Sequence, residues 1–178
     1  VQVVAYDQDS GMYASRLWWS LRYLGHDNVA VLDGGWAKWK REARPTTSGE
    51  EHRAPMIFGA KPRQGMQVSM DEVAALLNDK WSLLVDARSP ERFEGRAEPI
   101  DKLPGHIPGA VNHFFKTNLA EDGTMLAPDR LRRAFHDLFA GHAASDAVMY
   151  CGSGVTACQN LLAMEHAGLS GARLYVGS

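Results

Sequence analysis

Two parts of the chain repeat the same succession of elements, and this repeat constrains the fold more than any other feature. Each copy has a short apolar strand, a loop rich in glycine and serine, a helical stretch that stops at a glycine, and a second short strand. The first strands cover residues 3–7 and 147–151, and the helical stretches cover residues 11–24 and 155–167. Internal similarity of this kind predicts two homologous units.

Strand and helix signals also alternate between the two copies. Ser69, followed three residues later by Glu72, forms a capping box that predicts a helix up to about Leu77. Residues 81–85 are apolar enough for a strand, and Pro128 opens a stretch with helical apolar periodicity. This alternation predicts an α/β fold, a parallel sheet with helices on both faces. Ligands of such sheets bind beyond the carboxyl ends of strands.

Composition excludes several classes of function. The formal net charge is −2 and no basic run occurs, which speaks against a nucleic-acid partner. No apolar stretch approaches the roughly 20 residues that span a bilayer, so we expect no membrane association. The two cysteines, Cys151 and Cys158, show no metal-ligand spacing, and we expect no metal. The chain begins within a strand, and we interpret it as part of a longer protein whose N-terminus is not visible.

Cys151 occupies a loop that suits an anion. The strand ending at Tyr150 delivers this residue, and Gly152 and Gly154 allow successive N–H groups to turn inward. The helix that starts at about Val155 adds the positive end of its dipole. The nearest anion that these groups can stabilise is the Cys151 thiolate itself. The loop therefore predicts nucleophilic sulfur chemistry without a metal or organic cofactor. A free thiol of this kind suits a reducing compartment, so the cytoplasm is the expected location.

The first copy carries Asp7 where the second carries Cys151. An aspartate in a cradle of inward N–H groups is a satisfied anion, but it cannot take up and pass on sulfur. We therefore expect the first copy to be catalytically silent.

Four motifs follow one another in the order, and at about the spacing, of the rhodanese family, and the resemblance covers nearly the whole chain. They are Leu-Leu-Val-Asp-Ala-Arg at 83–88, Arg-Phe-Glu-Gly at 92–95, Gly-His-Ile-Pro-Gly-Ala-Val-Asn at 105–112, and the loop at 150–157. The loop sequence Cys-Gly-Ser-Gly-Val-Thr resembles that of the 3-mercaptopyruvate sulfurtransferase branch. The resemblance implies a rhodanese-like fold in tandem domains, the first of them incomplete. Residues 1–44 would be the C-terminal half of an inactive domain, residues 45–65 a linker, and residues 66–178 a catalytic domain that is cut short at its C-terminal end.

The family resemblance also implies an activity. Cys151 would take sulfane sulfur from a small anionic donor, 3-mercaptopyruvate or thiosulfate, and hold it as a persulfide. It would then pass the sulfur to cyanide, a thiol or a thioredoxin-like acceptor, in ping-pong covalent catalysis. The resemblance assigns catalytic roles to Cys151 and Ser153, and substrate binding to Arg92, Gly152, Gly154, Val155 and Thr156. Ser153 is equally well explained as a turn former.

Other conspicuous residues have structural interpretations. We expect Cys158 to be a core residue one helical turn beyond the loop. Asp86 and Arg88 resemble a catalytic pair, but the better interpretation is a structural ion pair. His106 lies in a fold signature and is interpreted as a structural histidine.

Rival functions make different demands on the loop. A cysteine phosphatase needs an arginine six positions after the cysteine, and that position is Ala157. A P-loop is excluded because no Gly-Lys-Ser/Thr follows the glycines. A non-catalytic sulfur-binding or regulatory module stays open.

The sequence leaves the sulfur donor open as well. Gly152 and Ser153 stand where thiosulfate-type relatives carry basic residues, which favours 3-mercaptopyruvate. Against this, Ile100 follows Glu98-Pro99, where 3-mercaptopyruvate enzymes have a second arginine.

Overall fold

The structure is a computed structural model that describes residues 1–50, 52–77, 79 and 81–177. Residue 51 of the predicted linker and residue 178 at the end of the predicted second domain lie outside the described residues. The first copy of the repeat forms a small parallel sheet of two strands. Its elements in chain order are β1 (Val3–Ala5), α1 (Met12–Tyr23), β2 (Val29–Val31) and α2 (Gly35–Arg41).

The remainder forms a five-stranded parallel sheet. Its strands and α-helices in chain order are β3 (Gln67–Val68), α3 (Met70–Leu76), β4 (Leu83–Asp86), α4 (Pro90–Phe93), β5 (Val111–Asn112), α5 (Pro128–Phe139), β6 (Ala147–Tyr150), α6 (Val155–His166) and β7 (Arg173–Tyr175). Three 3₁₀-helical turns cover Gln64–Met66, Phe115–Asn118 and Ala144–Asp146. The strand order is β3-β7-β6-β4-β5, and every pair is parallel. This confirms the predicted fold class.

Strand β6 lies at the centre of the sheet, and its side chains alternate between two apolar layers. Ala147 and Met149 face a layer that contains residues of α1, α5 and α6. Val148 and Tyr150 face the opposite layer, which contains residues of α3 and α4. All four residues are buried, as expected for a strand covered on both faces. The prediction of helices on both faces is therefore confirmed.

The capping box at the start of α3 is present as predicted. The Glu72 amide donates to the Ser69 hydroxyl at 3.2 Å, and the Ser69 amide donates to the Glu72 carboxylate at 2.6 Å. The strand predicted from Trp81 was wrong at its start, because β4 begins at Leu83 and Trp81 is 79% exposed. The Asp79 carboxylate accepts from the Trp81 amide, and this bond holds the chain in a turn before the strand.

The helices of the two repeat copies pack against each other, α1 on α6. Trp18 and Trp19 of α1 are buried, and their rings belong to the same apolar layer as Leu161 and Met164 of α6. The second copy thus places its helix between the five-stranded sheet and the first copy. None of the helices in the described ranges is long and apolar enough to cross a membrane.

Candidate active site

Cys151 follows directly on β6, at the carboxyl edge of the five-stranded sheet. It is 7% exposed, and the loop after it leads into α6 through Gly154, which is the N-cap residue. Gly154 has φ 68°, a left-handed conformation that glycine adopts without strain. The sharp turn therefore keeps the thiol at the start of the helix, as the glycines predicted.

The environment of Cys151 favours the thiolate. Burial opposes ionisation, but hydrogen bonds from the Thr156 hydroxyl and from the amides of Ser153, Ala157 and Gly152 outweigh it. The pKa of the Cys151 thiol is consequently lowered from its ordinary value. A lowered thiol pKa raises the fraction of the nucleophilic form at neutral pH.

The loop of the first copy shows the same cradle around a carboxylate. Asp7 Oδ1 accepts from the amides of Asp9 at 2.8 Å and Gly11 at 2.9 Å, and Asp7 Oδ2 accepts from Ala14 at 2.8 Å. Gly11 is the left-handed N-cap of α1, with φ 77°. Backbone amides of this copy thus hold a carboxylate, which is the arrangement that the sequence predicted for Asp7.

Cys158 lies one turn into α6 and is fully buried. Its thiol donates to the Gly154 carbonyl at 3.1 Å, and burial raises its pKa to about 12. Ser15 makes the matching bond in the first copy, to the Gly11 carbonyl at 2.6 Å. Cys158 is therefore a packed, protonated thiol that closes the first turn of the helix, in keeping with its predicted core role.

Arg16 of α1 also contacts the Cys151 loop, although nothing in its sequence neighbourhood indicates this contact. Its Nη1 donates to the Gly154 carbonyl at 3.2 Å, and it also forms a hydrogen bond with the Cys158 thiol. A Cβ at Gly154 would lie only 2.7 Å from Arg16 Nη1, so a side chain there would displace the end of the Arg16 side chain, and the left-handed turn already favours glycine. The first copy thereby contributes a cation next to the candidate nucleophile's loop.

The other predicted loop residues follow Cys151 along the turn and into the helix. Gly152 and Ser153 are exposed, and Val155 is the first residue of α6. The Ser153 hydroxyl role and the contribution of Val155 to substrate binding stay predictions. Ala157 was not predicted as a hydrogen-bond donor to Cys151. Only its backbone amide takes part, and every residue except proline has such a donor.

Arg92 lies beside the loop, but two carboxylates already bind it. A Cβ built at Gly152 would lie 3.6 Å from Arg92 Nη2 and 3.5 Å from Asp101 Oδ2. Arg92 Nη2 contacts Glu98 Oε1 at 2.7 Å and Asp101 Oδ2 at 2.9 Å. The predicted donor-binding arginine thus lies beside Gly152, and Glu98 and Asp101 hold it there.

The residues given structural interpretations have structural contacts. Asp86 is fully buried, and Arg88 Nη2 binds its Oδ2 at 2.8 Å and the Gly105 carbonyl at 2.5 Å. His106 stacks on Phe93 with ring centroids 3.7 Å apart, and its Nδ1 lies 2.7 Å from the Phe93 carbonyl. These contacts join α4, which carries Arg92, and the strand end before it to the segment around Gly105 and His106.

The chain matches the model of the rhodanese-like domain over residues 1–42 and 69–178. It is 44% identical to a probable 3-mercaptopyruvate sulfurtransferase of Pseudomonas aeruginosa, over 99% of this chain and 63% of that protein. It is 35% identical to thiosulfate sulfurtransferase of Rattus norvegicus, over 99% of this chain and 61% of that protein.

Among solved structures, the crystal structure of SseA from Escherichia coli, described as a 3-mercaptopyruvate sulfotransferase, superposes with a TM-score of 0.84. It is 30% identical, over 99% of this chain and 66% of that one. The chain thus spans just under two thirds of the length of each of these relatives. With a family model that matches most of its length and a cysteine loop of the predicted geometry, the chain belongs to the rhodanese family.

Proposed function

We propose that the protein is a sulfurtransferase that moves sulfane sulfur from 3-mercaptopyruvate or thiosulfate to a thiol acceptor through a persulfide on Cys151. The observation that carries this proposal is the set of hydrogen bonds that lowers the pKa of the Cys151 thiol. The matching loop of Asp7 supports it, because the amides of Asp9 and Ala14, which correspond to those of Ser153 and Ala157, bind a carboxylate there.

In the first half-reaction, the Cys151 thiolate attacks the thiol sulfur of 3-mercaptopyruvate or the outer sulfur of thiosulfate. With 3-mercaptopyruvate the carbon–sulfur bond breaks, and its electron pair stays on the carbon as the enolate of pyruvate, which then takes a proton. With thiosulfate the sulfur–sulfur bond breaks and sulfite leaves with the electron pair. Cys151 is left with one additional sulfur atom, and the amides that bind the thiolate are close enough to stabilise the persulfide anion.

In the second half-reaction, an acceptor thiolate attacks the outer sulfur of the persulfide. The bond between the two sulfur atoms breaks, and its electron pair returns to Cys151 as the thiolate. A small thiol or the exposed thiol of a thioredoxin-like protein fits this step, because the loop residues Gly152 and Ser153 are exposed. No cofactor is required, since the protein's sulfur carries the transferred group.

Arg92 is proposed to bind the anionic end of the donor, for which its planar guanidinium is suited. Its Nη2 atom lies next to Gly152, on the exposed side of the Cys151 loop. The loop has no basic side chain of its own, which favours the monoanionic 3-mercaptopyruvate over thiosulfate. Ile100, in place of a second arginine, weakens the anion site for either donor.

The domain organisation predicted above is part of this proposal. Residues 1–44 would belong to a catalytically silent domain, in which the Asp7 carboxylate takes the place of the cysteine. Residues 66–178 would form the catalytic domain, with the linker 45–65 between the two. The unmatched stretch between the two regions of the family match, which contains all of this linker, supports the division. We propose the cytoplasm as the location, because a free nucleophilic thiol requires reducing surroundings.

The test is mass spectrometry of the full-length protein after treatment with each donor and removal of the excess. The wild type should gain the mass of one sulfur atom, and Cys151→Ser should gain none. Cys158→Ser is the matched control and should gain sulfur like the wild type, because Ser15 makes the same helix contact in the first copy. A wild type that gains no sulfur from either donor would favour the non-catalytic module instead.

A further inference from the structure

Arg92 binds two carboxylates that differ in how firmly they are held. The Glu98 side chain is 4% exposed and also binds Arg88 Nη1 at 3.1 Å. It accepts from the amides of Ile100 and Asp101 as well. These bonds, with that of Arg92 as the strongest cause, lower the pKa of Glu98 to about 2. Glu98 is thus a permanent anion fixed by several partners.

Asp101 is held far more loosely. Its side chain is 41% exposed, it contacts Arg92 Nη2 at 2.9 Å, and Arg88 Nη1 is 3.8 Å away. An ion pair with this exposure contributes little free energy, because water competes for both charges. Another carboxylate can therefore replace Asp101 at Arg92 at low cost, whereas it cannot replace Glu98.

Asp101 also occupies the place where a donor would approach. Its Oδ2 and Arg92 Nη2 lie at nearly the same distance from the Cβ position of Gly152, the residue next to Cys151. The cluster around Arg92 holds two arginines and three carboxylates: Arg88, Arg92, Asp86, Glu98 and Asp101. With Asp101 in place an incoming anion meets a net charge of −1, from 2 positive and 3 negative groups.

We propose that Asp101 is a specificity-determining residue that competes with the anionic sulfur donor for Arg92. The donor carboxylate or sulfonate must displace Asp101 before its sulfur comes next to Cys151. Asp101 thereby weakens the binding of every anionic donor. Donors whose pair of oxygens fits the Arg92 guanidinium better than the Asp101 carboxylate does are favoured over the others. This inference rests on the proposed role of Arg92 in donor binding.

The competition acts on donor binding and leaves the later steps unchanged. Once Arg92 holds the donor, Asp101 has swung away from the reacting atoms, so the turnover number does not depend on it. The acceptor thiol carries no obligatory carboxylate, so its apparent affinity does not depend on Asp101 either. This separation distinguishes competition from a general structural effect.

The test compares donor kinetics of Asp101→Asn and wild type in the full-length protein, with 3-mercaptopyruvate as the donor and 2-mercaptoethanol as the acceptor. The variant keeps the shape of the side chain and removes its charge. We expect the donor KM to fall roughly 1.5-fold to fivefold, the range set by an exposed ion pair, with kcat and the acceptor KM unchanged. Asp27→Asn is the matched control, because Asp27 forms an exposed pair with Arg63 at 2.6 Å elsewhere on the surface. This control should behave like the wild type.

Two further variants separate this inference from the proposed function. Arg92→Met should raise the donor KM, and the double variant Arg92→Met/Asp101→Asn should show no gain over Arg92→Met alone. If Arg92→Met raises the donor KM while Asp101→Asn leaves it unchanged or raises it, the competition is refuted and the donor site stands. If Arg92→Met leaves the donor KM unchanged, the role of Arg92 and the inference built on it both fall.

Discussion

Arg16 Nη1 donates a hydrogen bond to the Gly154 carbonyl, and this bond joins the helix of the first copy to the Cys151 loop of the second. The same carbonyl accepts from the Cys158 thiol, so two donors hold the turn that follows Cys151. The position of the candidate nucleophile therefore depends on a side chain far away in the sequence.

Replacing Arg16 by methionine should loosen this turn. We expect unfolding free energy to fall by about 1–2 kcal/mol, as for a partly exposed hydrogen bond from a charged donor. We also expect kcat/KM to fall roughly tenfold, because the thiol is less well placed. Urea denaturation and donor kinetics measure the two effects. Arg22→Met is the control: Arg22 lies on the same helix and binds Glu165 at 2.6 Å, so it should lose stability and retain activity.

Replacing Thr156 by valine should raise the pKa of Cys151, because the Thr156 hydroxyl is the strongest of the groups that lower it. The thiolate exists above this pKa and is lost as the pH falls, so the acid limb of the activity profile should move to higher pH. We expect a shift of roughly one pH unit. The pH dependence of alkylation by iodoacetamide reports the shift directly. Thr117→Val, which removes a hydroxyl bonded to the Phe114 carbonyl, should leave the midpoint in place.

Replacing Asp7 by asparagine should destabilise the silent copy. The Oδ1 of asparagine can accept, but its side-chain NH2 group cannot, so at least one of the amides of Asp9, Gly11 and Ala14 loses its partner. We expect a loss of about 1–3 kcal/mol in urea denaturation. Persulfide formation on Cys151 should persist wherever the protein is folded. An unchanged stability would show that this cradle does not hold the fold, and Asp9→Asn, an exposed change in the same loop, provides the baseline.

The buried imidazole of His113 is expected to make the stability of the protein sensitive to acid. Burial lowers its pKa, and its Nε2 lies 2.8 Å from Asn118 Oδ1. Asn118 Nδ2 donates to Gln159 and Asn160, so its Oδ1 accepts from the neutral imidazole. Because the folded pKa lies below the unfolded value, the unfolded state binds the proton first, and stability falls as the pH drops below about 6.5.

The variant His113→Gln should remove this part of the pH dependence, since glutamine keeps a donor and does not titrate in this range. Urea denaturation at several pH values between neutral and mildly acidic conditions measures it. His136→Gln, an exposed change on α5, should keep the wild-type slope. Equal slopes for His113→Gln and the wild type would assign the acid sensitivity to another group.

Local chemistry was enough to predict much of this structure. The capping box of Ser69 and Glu72, the helix from Pro128 and the glycine turn after Cys151 each depend on residues within a few positions of one another. The parallel sheet followed from the order of these elements. The sequence did not indicate which residues that are far apart in the chain come into contact.

Arg92 and Arg16 show the limit of sequence reasoning. The resemblance placed Arg92 near the donor, but its bonds to Glu98 and Asp101 depend on how the loop after α4 folds back. Arg16 reaches Gly154 only because α1 packs against α6. Trp81 was assigned to a strand for its apolar character, whereas the side chain of Asp79 turns the chain there.

The packing of α1 on α6 has a consequence for how such a duplicated protein can change over time. On the proposed division of roles, a copy without a nucleophile would ordinarily be free to accumulate substitutions or to be deleted. Because α1 contacts α6 and Arg16 binds the Cys151 loop, selection on the proposed reaction would also preserve residues of the first copy. Substitutions on this face of α1 are therefore expected to lower the activity of the second copy.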